Sequence, residues 1–249
     1  MAVVSIGFLL GLILPLLFLS IPIRERNFRG ESLPILGFLI PLISSIYCLI
    51  FKDFLPATAL LVFGILGLLD DVWGRKDVKG FKGHFSLLMQ GKFSTGWLKA
   101  LGGGIGGLLI ASFLHRSLPL IILSAFIISA SANLLNLLDL RPGRCLKAFA
   151  LLSLLPLFFG KPYPFIFSFS LGFLVYDLRE KAMLGDVGSN SLGALLGFSL
   201  CFAPIILQLF YALFLLLALV LSEFISFGRV IERNPLLRFL DGLGRRTPL

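Results

Sequence analysis

Charge is scarce in this sequence. Only 14% of its 249 residues are Asp, Glu, Lys or Arg, against roughly a quarter in ordinary soluble domains. Composition therefore argues against a water-soluble globular protein and against a charged disordered chain. Cysteine is nearly absent as well, and Cys48, Cys145 and Cys201 have no paired spacing, so neither a disulfide framework nor a zinc site is expected. The two histidines, His84 and His115, fall on opposite sides of the topology derived below and cannot share a metal. Residues 1–249 read as a single integral membrane domain.

What fills the sequence is apolar: 57% of residues are hydrophobic and the mean hydropathy is +0.99. The apolar runs are Ala2–Ile23, Leu33–Phe51, Phe54–Leu69, Trp97–Leu114, Leu118–Leu138, Ala148–Phe159, Phe165–Tyr176, Ser191–Ala203 and Pro204–Phe227. A spanning helix needs about 20 residues. Several runs meet or approach that length and the sixth to eighth are short, so the expectation is an all-α, polytopic helical bundle of about nine transmembrane segments. No small-residue cleavage site follows the first run, which is therefore read as a membrane segment and not as a secretory signal. If 148–159 and 165–176 formed a re-entrant hairpin, the chain would still return to the same face.

Basic residues set the orientation. Of the 22 Lys and Arg, all but Lys52, Arg116 and Lys161 lie in alternate loops or beside them, at Lys99. The positive-inside rule makes that side cytoplasmic, with the N-terminus outside and the C-terminus inside a multi-pass cell membrane protein. The net charge of +9 reads as topology and as attraction to membrane lipids, not as nucleic-acid binding. The acidic residues crowd the same face, whereas the outer loops "FKD", "HRS" and "GKPYP" are too short to build a site. "LGGGIGGLL", residues 101–109, contains a formal G-x-G-x-x-G but lies inside a membrane run, so it reads as close helix packing through small residues.

Three segments on that face stand out. "GLLDDVWGRKDVKG", residues 67–80, pairs Asp70 with Asp71 ahead of a basic stretch that includes Lys79 and Lys82. "ANLLNLLDLRPGR", residues 132–144, repeats polar groups every three residues at Asn133, Asn136 and Asp139, which places them along one helical face. "MLGDVGSNSLG", residues 183–193, sets Asp186 among Gly185, Gly188, Ser189 and Gly193. Small residues allow close approach of a ligand, Ser189 or Asn190 could cap a helix starting there, and open N–H groups at such a start attract anions. The segments follow the third, fifth and seventh runs, so a bundle can gather their carboxylates at one end. Carboxylates among lysines and arginines suit Mg²⁺ bridging phosphate oxygens. The simpler alternative is that each Asp only caps a helix or sits solvated in a loop.

At these residues the chain resembles the polyprenyl-phosphate N-acetylhexosamine-1-phosphate transferases, the superfamily of the phospho-MurNAc-pentapeptide translocase. "NFRGESLP" is similar to the family's first cytoplasmic loop, "DDVWG" to its paired aspartates, "NLLNLLD" to its Asn-x-x-Asn-x-x-Asp motif and "GDVGSNSLG" to its Gly-Asp-x-Gly-Ser-x-x-Leu-Gly motif. The resemblance implies a phosphoglycosyltransferase of cell wall biogenesis in a bacterial plasma membrane. Its reaction is Mg²⁺-dependent transfer of a sugar-1-phosphate from a nucleotide-sugar to polyprenyl phosphate, releasing a nucleoside monophosphate. It implies Asp186 and Asp71 at the metal and Asp70 on the lipid phosphate, with Asn133, Asn136, Asp139, Lys79, Lys82, Gly188 and Ser189 toward substrate. The family pattern has an Asp where this chain has Pro142, and a His-rich motif in the last loop where this chain offers Arg229 and Arg233. Those differences point to a small donor, a UDP-N-acetylhexosamine. A homodimer, a non-catalytic lipid-phosphate-binding relative and a transporter using Glu223 remain compatible with the residues.

Overall fold

The computed structural model describes residues 1–74 and 95–245. Lys79, Lys82, Asp77 and His84 lie outside the described residues. The helices are α1 (Ala2–Phe18), α2 (Leu39–Ile50), α3 (Phe54–Trp73), α4 (Thr95–Leu114), α5 (Leu118–Leu138), α6 (Arg144–Leu152), α7 (Leu154–Phe159), α8 (Pro164–Leu178), α9 (Gly185–Leu200), α10 (Ile205–Ser222), α11 (Phe227–Arg233) and α12 (Pro235–Gly242). The helical expectation holds, with one addition: residues 24–34 form an antiparallel hairpin, β1 (Arg24–Arg26) with β2 (Ser32–Pro34). Polar, glycine-containing sequence explains it, since the Asn27 side chain accepts from the backbone N–H of Arg29 and Glu31 at 2.9 Å each and closes the turn.

Three helices among the described residues are long and apolar enough to cross a membrane: α3, α5 and α10. α1, α2, α8 and Lys99–Leu114 of α4 are apolar but shorter. The sixth run is broken in two at Ser153, between α6 and α7, so it forms no single long helix. These apolar helices are compatible with a membrane protein.

α9 is the centre of the molecule. Every one of its residues except Asp186 is buried, between α5 on one side and α3 on the other. Its composition permits this: at Gly193 and Gly197 an added methyl would lie 2.4 Å and 2.7 Å from the carbonyl oxygens of Ser131 and Ile127 on α5. Close backbone approach through small residues is the usual device for helices without a hydrophobic driving force between them. The α4 glycines serve the same end, as read from the sequence. Gly102 and Gly106 meet Leu66 and Val62 of α3, and the Gly103 carbonyl accepts from Ser129 Oγ at 2.8 Å.

The two ends of α3 carry different polar groups. At its start Asp53 binds Lys161 Nζ at 2.6 Å and Tyr163 Oη at 3.2 Å, so two of the short loops do meet, in a structural ion pair. At its finish are Asp70 and Asp71, about 25 Å away at 1.5 Å per residue.

Candidate functional site

The site begins with how α9 starts. β2 runs on into Ile35 and Leu36, which pair with Met183: Leu36 N–H donates to the Met183 carbonyl at 3.0 Å, and Met183 N–H to that of Pro34 at 2.9 Å. Glu180 ties the hairpin down further, accepting from Asn27 Nδ2 at 3.2 Å and Arg29 Nε at 3.1 Å. This anchored strand delivers the chain to Gly185, whose φ is +67°. That left-handed conformation suits only glycine here. A methyl at Gly185 would also stand 2.9 Å from Asp71 Oδ2 and 2.7 Å from Ile35 Cγ2. Gly185→Ala should therefore cost about 1–2 kcal/mol from backbone conformation alone, read as a lowered unfolding temperature of the detergent-solubilised protein. An unchanged midpoint would remove the requirement.

Asp71 caps α9 from another helix. Its two oxygens accept from the backbone N–H groups of Asp186 and Val187, both at 2.9 Å. A carboxylate at a helix N-terminus satisfies orphan donors and opposes the positive end of the macrodipole. The helix start expected to be open to an anion is thus filled by the chain's own carboxylate, and the simple capping role holds for Asp71. Ser189 and Asn190, the caps expected from sequence, instead turn back: Asn190 Nδ2 donates to the Asp186 carbonyl at 2.8 Å. Contact is close because α3 has no side chain at Gly67, where a methyl would sit 2.2 Å from the Asp186 carbonyl oxygen.

The cap aims the Asp186 side chain outward, where it meets Asp70 at the ammonium of Lys99. Lys99 Nζ, from the first turns of α4, hydrogen-bonds Asp186 Oδ2 and also lies 3.3 Å from Asp70 Oδ2. The three side chains retain 19–29% exposure, enough for a solute to reach them. Lys99 was not expected from the sequence, where it stands alone inside an apolar run; a lone Lys beside the glycine stretch, on the acidic side, was the available signal.

The other expected residues divide. Asn136 Nδ2 donates to Ser189 Oγ at 3.2 Å, joining α5 to α9 just behind Asp186. Ser189 and Gly188 are buried, so they act through packing. Asn133 is exposed. The shared helical face stops after Asn136, because Asp139 leaves the helix at φ −79°, ψ 49°. Burial first, then the negative charges of Asp177, Asp186 and Asp71, raise the Asp139 carboxyl well above the usual range.

A second polar assembly follows Asp139. Gly143 N–H donates to Asp177 Oδ2 at 2.7 Å, and the Pro142 carbonyl accepts from Arg245 Nε at 2.9 Å. Arg144 grips Asp241 of α12 with two bonds of 2.9 Å and 2.8 Å, and Arg245 Nη2 adds a third at 2.6 Å. Burial opposes ionisation of Asp241, but the two arginines outweigh it and hold its carboxyl below the usual range. Lys147 donates to the carbonyls of Leu240, Asp241 and Leu243 at the end of α12, and burial with the nearby Arg245 charge lowers it to about 8. Above this assembly is an open pocket of about 270 Å³ lined by Arg141, Arg144, Arg229, Glu232, Ser226, Gly228 and Leu140. Arg141 pairs with Glu232 at 3.1 Å and stacks on Phe28 at 4.4 Å. Arg229 lines this pocket, whereas Arg233 is exposed outside it.

No family model and no characterised protein matches this chain.

Proposed function

We propose that the protein transfers a sugar-1-phosphate from a nucleotide-sugar to polyprenyl phosphate at a Mg²⁺-supported centre on the cytoplasmic side of a bacterial membrane. The observation that carries this reading is the meeting of Asp70 and Asp186 at Lys99, with Asp71 fixing the helix start that aims Asp186. Among the described residues no three metal-ligating side chains cluster. Two carboxylates still fit Mg²⁺, which is commonly held by one or two carboxylates with water and substrate phosphates. When bound, the ion would neutralise diphosphate charge. Asp186 and Asp70 are assigned to it and to the lipid phosphate, and Asp71 to positioning, since both its oxygens already serve α9.

In the reaction a lipid phosphate oxygen attacks the sugar-bearing phosphorus, and the anhydride bond to the nucleoside monophosphate breaks. Such chemistry asks mainly for positioning and charge stabilisation. Lys99 is well placed to turn from the carboxylates to an incoming phosphate. Arg229 offers the pocket beside α11 an anion contact, whereas Arg144 is already paired with Asp241 and Arg141 with Glu232. The Pro142 carbonyl is taken by Arg245, so that position offers no acceptor to a donor; the small-donor assignment, a UDP-N-acetylhexosamine, rests on the sequence differences at Pro142 and in the last loop. A non-catalytic lipid-phosphate-binding protein is the second reading, favoured by Lys99 already filling the acidic centre. Glu223 lies at the end of α10 and not within it, which weighs against an ion path.

Purified protein incubated with Mg²⁺, polyprenyl phosphate and a panel of nucleotide-sugars should release a nucleoside monophosphate, and should prefer a UDP-N-acetylhexosamine over UDP-MurNAc-pentapeptide at equal concentration. Lipid-phosphate binding without release from any donor would establish the second reading. Preference for the pentapeptide donor would remove the small-donor assignment.

A further inference from the structure

α12 is amphipathic in an unusual direction. Leu236, Leu237, Phe239, Leu240 and Leu243 fall along one side at helical spacing, and Arg238 falls opposite them. In a water-soluble protein the apolar side would turn inward. Here it turns out: Leu236 is 66% and Phe239 64% exposed, whereas Asp241 is buried against Arg144 and Arg245. Asp241 is therefore what docks α12 to the bundle, while Arg238 stays exposed and the apolar side of the helix remains 40–66% exposed. An exposed contiguous apolar patch marks an interaction surface.

Continuity decides the occupant. The exposed side of α10, with Leu217 at 53% and Leu221 at 47%, runs into Phe224 at 75% and Ile225 at 43%, and the chain then turns through α11 into α12. Exposed apolar residues thus continue along the chain from a helix long enough to span a membrane, through Val230 at 42%, onto a short helix at its end. Residues 226–245 also carry four arginines against two acids, a balance complementary to anionic headgroups. We infer that α12 is an in-plane membrane helix, with Leu236, Phe239 and Leu240 in the acyl boundary of the leaflet at the end of α10 and Arg238 on the water side. Interfacial helices bury their apolar face about 5–10 Å into that boundary. The Asp241 network then fixes the pocket lined by Arg229 at headgroup level, where a lipid-borne phosphate lies. The inference rests on membrane residence and not on catalysis.

The test uses the full chain, reconstituted in phosphatidylcholine and phosphatidylglycerol vesicles, with an environment-sensitive fluorophore on Phe239→Cys, Arg238→Cys or Leu217→Cys. The three native cysteines are buried. The label at 239 should be quenched several-fold more by lipids spin-labelled high on the acyl chain than by an aqueous quencher, and the label at 238 should show the reverse. Lipid quenching at 217 with aqueous quenching at 239 would overturn the inference alone. Shielding at 239 from both quenchers would overturn it in favour of a protein partner or a second copy. Absence of lipid quenching at 217 would overturn membrane residence, and the inference with it.

Discussion

Asp186→Asn should lower nucleoside monophosphate release by about 10²–10³-fold, the range typical of removing one preorganised electrostatic contact. The variant should keep its fold, because the Asp71 cap bonds the backbone N–H of residue 186 and not its side chain. Mn²⁺, an EPR-visible substitute for Mg²⁺, should bind the variant at least tenfold more weakly. Asp71→Asn should also lose activity for a different reason. An amide retains one acceptor oxygen but points an NH₂ at the second backbone N–H, leaving a buried donor unsatisfied at about 1–3 kcal/mol, and Asp186 then loses its aim. Asp53→Asn, at the far end of α3, should change the rate by no more than about twofold, given its separation of about 25 Å. Equal activity in wild type and the Asp186 variant would remove Asp186 from the reaction.

The second large effect concerns stability. Asp241→Ala should leave Arg144 and Arg245 facing each other in a buried site, and breaking a buried pair by removing one partner costs about 3–5 kcal/mol. The side chains involved are 2–5% exposed, so water can screen little of that repulsion. Loss should be local: residues 226–245 should undock, and trypsin should cut at Arg229, Arg233 or Arg238 while the helices that precede them stay intact. The same docking has a pH signature. The Asp241 carboxyl is held below its ordinary value in the fold, so its contribution is complete above the unfolded value near 4 and is lost as pH falls through the folded one. Proteolysis of the wild type by an acid-tolerant protease should therefore begin at the C-terminal segment. Uniform cleavage along the chain would contradict the network.

Much of this was legible in the sequence. Runs of apolar residues mark the helices, and the Asp70–Asp71 pair with the lone Asp186 marks the end of the bundle where the three meet. Residue spacing could not reveal that Asp71 would serve the backbone of α9 while Asp70 faced a cation, because that choice depends on the rotation of α3 against α9. Lys99 was hidden for the same reason, since one lysine in an apolar run has no periodic partner. The hairpin at 24–34 was missed because its strands are three residues each, too short for alternation to register. Asp241 and Arg245 stand at i,i+4 spacing, but the partner that buries them, Arg144, is 97 residues away from Asp241, and nothing local announces it. The broken run at 148–159 was flagged by its length alone.

The burial of α9 has a consequence for how the chain is made. Its partners α3 and α5 are synthesised well before residue 185, and until then the groove between them has nothing to hold and Asp71 has no backbone amide to accept from. The early helices must therefore keep a groove lined by Leu60, Phe63, Ile127 and Ile128 open for a later partner. A nascent chain halted near residue 180 would expose that apolar groove, with Asp71 at its end lacking the backbone it caps.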